Sequence, residues 1–302
     1  MDVLSDVVSA ARTGRPHSSR MTRSAPFSQR FPAAPSAGFH IVLQGTCWLL
    51  PSQGEPVALG PGDVAFLPRG SAHGLADDPS TPASEPPAGA RGGETSADRP
   101  PTLVMLCGAY LLDGSRPHPL LDELPEVIHL PTRVGRRREL RAAVELLGVE
   151  LDSDPRPGSD AVLLTLLDLL LLYILRAWFE ERHASGDSAT GWAAALRDPA
   201  VAPALRAIHG DPGRQWTVEE LGAQGRLSRA AFARRFTHLV GQPPLTYLTW
   251  WRMTTAARLL RTSDAPVDRI AQQVGYSSQY TFTHAFKRQY GAPPGGYRRR
   301  AD

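Results

Sequence analysis

The chain has 302 residues, 42% of them hydrophobic and 21% charged, proportions that suit a soluble globular protein with room for two domains. Two cysteines in that length exclude a disulfide-scaffolded secreted fold. The net charge of +3 conceals an asymmetry: residues 197–302 carry 16 basic and 7 acidic residues, a balance of +9, against 17 basic and 23 acidic in residues 1–196, a balance of −6. A basic C-terminal third on an acidic body points to a polyanion-binding module joined to something else.

In chain order, residues 1–38 lack the continuous apolar run of a secretory leader; their Arg and Ser content keeps an organellar transit peptide as an alternative. Residues 2–12 predict a short amphipathic helix, and 13–37, with four prolines, an irregular stretch. From 38 to 75 short apolar runs (39–43, 47–50, 57–59, 64–67) alternate with Gly/Pro turns, the pattern of a sandwich or barrel. Residues 77–101 are Pro/Gly/Ala/Ser-rich and predict a disordered loop. Strands are expected at 103–112 and 125–130, then helices at 136–151 and 160–183, the second capped by Ser159 or Asp160. Its residues 161–179 have the length of a bilayer span. Asp168 and Arg176 argue against lipid exposure, so the expectation is a buried or dimer-forming helix. Leu163, Leu166, Leu167, Leu170, Leu171 and Ile174 supply a broad apolar stripe that wants a partner, in a second copy or within the monomer.

The last third repeats itself at an offset of 50. Phe232, Phe236, Gly241, Pro243, Pro244 and Tyr247 are matched by Phe282, Phe286, Gly291, Pro293, Pro294 and Tyr297. Each copy follows a short amphipathic helix, at 218–224 and 267–274. Thr217 and Glu220 form a capping box, and phenylalanines at i and i+4 face one core. Gly241 ends a helix and the Pro pair opens the next. Two short helices joined by a tight turn are a helix-turn-helix; a long helix over 245–260 joins the two motifs.

At about 100° per residue, the side opposite Phe232 and Phe236 carries Ala230, Arg234 and Thr237, flanked by Ala233 and Arg229. The second copy offers Tyr280, His284 and Lys287, flanked by Thr283 and Gln279. Arg bonds guanine bidentately, Gln bonds adenine, and small side chains admit thymine methyls. These ten are the candidate DNA-binding residues. Arg235, Arg252, Arg258, Arg288 and Arg298–Arg300 are candidate phosphate anchors. The competing reading is that both faces are ordinary solvated helix surfaces.

Over 196–302 the sequence resembles the AraC/XylS family of bacterial transcription regulators. The resemblance is densest in Ile270, Ala271, Gly275, Tyr276, Phe282, Phe286, Lys287, Gly291, Pro293, Pro294, Tyr297 and Arg298. It implies two motifs entering successive major-groove segments on one DNA face, about one helical turn apart. One departure is Arg226, where the family usually has Gly; another is Gly222, where a better helix former is expected.

Residues 38–112 resemble the cupin-type N-terminal domain of one AraC-like subgroup, through Phe39, His40, Gly45, Cys47, Trp48, Pro61, Gly62, Asp63, His73 and Cys107. Enzymatic cupins hold a metal with a larger histidine and glutamate cluster. His40 and His73 are therefore weak metal candidates, and no cofactor is expected. Cys47 and Cys107 are possible redox residues; a ligand in the barrel mouth is the other sensor reading.

The expected fold is multidomain α+β: a cupin-like β-barrel with dimerisation helices (1–183), a linker (184–195) and an all-α double helix-turn-helix (196–302). The expected function is a cytoplasmic, sequence-specific DNA-binding transcription regulator, not an enzyme, answering to a small molecule or an oxidant. Its expected partners are promoter DNA, a second copy, an unknown effector and RNA polymerase, with activation as the candidate output and no membrane. The rivals are a metal-dependent cupin enzyme carrying a DNA module and an architectural protein without effector.

Overall fold

The computed structural model describes residues 2–81, 100–112, 118–131, 137–152, 156–184 and 190–301. Most of the loop expected at 77–101, and residues 185–189 of the expected linker, lie outside the described residues. The elements are α1 (Val3–Ala11), β1 (His17–Arg23), β2 (Ser28–Phe31), β3 (Ala37–Gln44), β4 (Cys47–Pro51), β5 (Val57–Leu59), β6 (Val64–Leu67), β7 (His73–Ala76), β8 (Leu103–Tyr110), α2 (Pro119–Asp122) and β9 (Ile128–Leu130). Helices follow: α3 (Arg138–Asp152), α4 (Ser159–Ala184), α5 (Gly191–Ala195), α6 (Val201–Gly210), α7 (Val218–Gln224), α8 (Arg229–Val240), α9 (Pro244–Thr262), α10 (Val267–Gln273), α11 (Gln279–Tyr290) and α12 (Pro294–Ala301). The chain divides into two compact units, Ala11–Glu181 and Met1–Ala10 with Arg182–Asp302.

The first unit is built on two antiparallel sheets, ordered β1-β8-β3-β6-β9 and β2-β7-β4-β5. Met21, Val42, Leu49, Leu59, Leu75, Leu103 and Met105 form one shared core cluster. Residues 13–37, read above as irregular, contain β1 and β2. Strand β1 (HSSRMTR) buries only Met21, so it shows no apolar alternation. It forms because it pairs with β8 from His17↔Ala109 to Arg23↔Leu103, and its polar surface suits an edge position.

Helix α4 is long and apolar enough to cross a membrane by length and composition. Leu166, Leu167, Leu170, Leu171, Ile174 and Leu175 are nevertheless buried within the protein. The Tyr110 hydroxyl donates to the Leu167 carbonyl at 2.8 Å, and Arg12 pairs with Asp168 at 2.5 Å. The acid in mid-helix thus answers a cation of the same unit.

The second unit is helical. Met253, Ala256, Ala257, Leu260, Ile270, Phe282 and Phe286 make one of its cores. Helix α1 belongs here by contact. Val3, Val7 and Val8 are buried, Asp6 lies 3.4 Å from His209, and Arg261 donates to the Ala10 carbonyl. The division therefore differs from the expected boundary of 1–183. The expected linker also contains α5, whose Trp192 is fully buried.

Candidate nucleic-acid interface

Helix α7 opens on the expected capping box. Thr217 Oγ1 accepts from the Glu220 amide at 3.1 Å, and Glu220 Oε2 accepts from the Thr217 amide at 2.8 Å. The chain then turns through Gly225 and Arg226 (φ 57°), closed by the Leu227 amide on the Gly222 carbonyl. Ser228 caps α8, and Gly241 in the left-handed region ends it. The second motif repeats this with Gly275 (φ 85°), the Tyr276 amide on the Ala271 carbonyl, a Ser278 cap and Gly291. The two turn-closing residues, Leu227 and Tyr276, stand 49 apart while the serine caps stand 50 apart, so the second turn is one residue longer. Arg226 and Gly275 are the equivalent positions.

Two glycines of the first motif serve close packing. A Cβ on Gly222 would lie 3.0 Å from the Leu227 carbonyl oxygen and 3.1 Å from Phe232 Cβ. A Cβ on Gly225 would lie 2.3 Å from Ala200 Cα. The glycine absent from position 226 is thus not simply displaced by one residue.

Phe232, Phe236, Phe282 and Phe286 are fully buried. On α8, Arg229, Ala230, Arg234 and Thr237 are exposed and Ala233 is half-buried. On α11, Gln279, Tyr280, His284 and Lys287 are exposed and Thr283 is half-buried. Arg229 pairs loosely with Glu219 at 3.4 Å, and the Tyr280 and His284 rings pack with centroids 4.5 Å apart.

Several candidate phosphate anchors already hold the protein together. Arg235 Nε and Nη2 bond Asp198 Oδ2 at 2.8 and 2.5 Å, while Asp198 Oδ1 accepts from the Ala200 and Val201 amides at the start of α6. Burial pushes the Asp198 carboxyl up, but these bonds together hold it below the ordinary value. Arg252 donates to the Pro212 and Arg214 carbonyls, and Arg298 to that of Ala265. Arg258 is half-buried, Arg288 and Arg299 are exposed, and the Arg300 side chain lies outside the described residues.

Between the sheets of the other unit, His40, His73 and Cys107 form a polar chain. The His73 Nδ1–H donates to the Ser71 carbonyl at 2.8 Å, which leaves Nε2 to accept from His40 Nε2–H at 2.7 Å. His40 Nδ1 then accepts from the Cys107 thiol at 3.1 Å. Phe31 stacks on His73. Burial, and next the neighbouring His73, lower His40 to about 3. Burial pushes Cys107 up to about 12, partly opposed by Arg23, and Cys47 likewise to about 12. Both thiols are free. Cys107 and His73 engage opposite edges of the His40 ring, so one ion could not take all three in this arrangement. Among the described residues no group of three or more His, Cys, Asp or Glu is placed to hold a metal.

Residues 2–180 match the cupin family, and residues 221–300 match a helix-turn-helix domain family. A Streptomyces lividans protein described as an AraC-like transcription regulator is 35% identical over 99% of this chain and 98% of its own. The HTH-type transcriptional regulator AlkR of Acinetobacter baylyi is 32% identical over 87% of each chain. The chain belongs to the AraC-like transcription regulators. It is a DNA-binding regulator with an N-terminal cupin domain and a C-terminal helix-turn-helix region. Among solved structures, the DNA-binding domain of AdpA in complex with a target DNA is 38% identical, covering 34% of this chain and 92% of that one, with a TM-score of 0.32.

Three features of this AraC-like regulator escaped sequence reasoning. The Asp198–Arg235 clasp joins residues 37 apart. The Cys107–His40–His73 chain joins three strands. The seating of α1 on the helical unit leaves no sequence signal beyond its apolar face.

Proposed function

We propose that this AraC-like regulator binds promoter DNA with α8 and α11 each in a major groove. Arg229, Ala230, Ala233, Arg234 and Thr237 read one segment; Gln279, Tyr280, Thr283, His284 and Lys287 read the other. The observation that carries this is the exposure of both faces behind fully buried Phe pairs. Arg234→Ala weakens the operator complex by about 1–3 kcal/mol and relaxes base choice in one segment only. An equal loss on unrelated DNA would make Arg234 a backbone contact instead.

The protein works in the cytoplasm as a homodimer, without enzymatic activity. Leu146 and Val149 of α3 and Val162 of α4 are exposed apolar side chains, and they supply the dimer surface. The domain roles are sensing and dimerisation in 11–181 and DNA binding in the helical unit. Activation proceeds through RNA polymerase and is read by transcription from the footprinted promoter.

The signal is received in the barrel, and the His40–His73–Cys107 chain is the place where it acts. A small-molecule ligand acts by binding one arrangement of the domain better than another. An oxidant acts by linking Cys107 to Cys47, a bond that mass spectrometry of mildly oxidised protein detects. If both thiols stay free while DNA binding changes, the signal is a ligand.

A further inference from the structure

Arg226 breaks a local rule without a local return. Its backbone is left-handed (φ 57°), a conformation an L side chain rarely adopts. The equivalent position of the second motif is Gly275, with the same closing hydrogen bond. A glycine at 226 would make the same turn without strain. The arginine side chain is exposed, and among the described residues its guanidinium makes no ion pair or hydrogen bond.

Several neighbouring cations are engaged within the chain, whereas Arg234 on α8 is, like Arg226, exposed and without an ion pair among the described residues. Arg214 pairs with Glu220, Arg229 with Glu219 and Arg235 with Asp198, while Arg252 holds two carbonyls. Arg226 stands two residues before the Ser228 cap of α8, at the end from which such helices enter the groove. Strain kept at an exposed, unpaired cation marks a site whose partner is outside the chain.

We propose that Arg226 is a DNA-backbone contact, its guanidinium bonding a phosphodiester oxygen beside the groove that α8 enters. This rests on the DNA-binding reading of the helical unit. The ligand is the phosphate group common to all duplexes, so the contact adds affinity and orientation and carries no base preference.

The test compares full-length wild type with Arg226→Gly, Arg226→Asn and Arg226→Lys on two duplexes. One is selected from random-sequence DNA by the wild type; the other is unrelated. The glycine variant should melt at a higher temperature yet bind both duplexes more weakly, by roughly 3–10-fold near physiological salt. Its slope of log affinity against log salt should be shallower by about 0.9, one phosphate contact. Asparagine, neutral and tolerant of the left-handed region, should bind as glycine does, and lysine should keep the wild-type slope. Unchanged affinity and slope in the glycine and asparagine variants would overturn the proposal, as would a loss confined to the selected duplex. If the wild type itself bound neither duplex with a steep salt slope, the DNA-binding reading would fail instead.

Discussion

At the residue scale, adjacent positions of one turn carry opposite requirements. Gly225 has no room for a side chain because Ala200 lies against it, whereas Arg226 has room and the wrong backbone conformation for its type. Gly225→Ala should lower stability by about 1–3 kcal/mol through overpacking. Arg226→Gly should raise it by about 1 kcal/mol through relief of the left-handed strain. Denaturant midpoints of the two variants should therefore move in opposite directions; a shift of the same sign would contradict this account of the turn. The family resemblance exposed Arg226, and helix propensity Gly222, as departures. Neither explained Gly222, whose cause is the approach of Leu227 and Phe232 in space, and those contacts do not account for Arg226. In the barrel, His40 is neutral when folded, its pKa lowered to about 3 by burial, against about 6.5 when unfolded. Its contribution to stability is complete above the unfolded value and is lost as pH falls from about 6.5 toward 3, because only the unfolded chain takes up the proton. Hydrogen exchange of β3 and β8, corrected for intrinsic rates, should show protection falling over that interval. Protection that is constant across it would mean His40 is already charged in the folded barrel.

At the element scale, legibility followed apolar periodicity. Helix α7 lies where its cap and apolar spacing put it, and α3, α4 and α9 lie within a few residues of expectation. These segments bury a stripe of their own, so the period is written in them. Strand β1 is polar and is held by β8, and β2 by β7, so their conformation depends on partners far along the chain. Helix α1 was recognisable as amphipathic, but nothing in its composition says which unit its valines join. The apolar residues left exposed on α3 and α4 have a consequence at this scale. Leu146→Glu with Val149→Glu should turn a dimer into a monomer in sedimentation while leaving helix content unchanged. A variant that stays dimeric would move the interface elsewhere.

At the scale of the whole molecule, the charge asymmetry between residues 197–302 and the remainder matches the division of labour in an AraC-like regulator. The excess of cations lies on the helical unit, and part of that excess is bonded internally through Arg235, Arg252 and Arg298. Net charge alone therefore overstates the number of phosphate contacts. The offset-50 repeat was the most informative text in the chain because each copy must bury its own Phe pair to exist. The same burial turns the opposite faces outward. Operator and direction of regulation have no such signature, since they depend on exposed side chains that the fold leaves free to vary. The most direct measurement is footprinting of the wild type, Arg234→Ala and His284→Ala on the protein's own upstream DNA. Two protected major-groove segments are predicted on one face, about one helical turn apart. Arg234→Ala should weaken one segment and His284→Ala the other. A single protected segment, or two on opposite faces of the duplex, would contradict the claim that the duplicated motifs read DNA side by side.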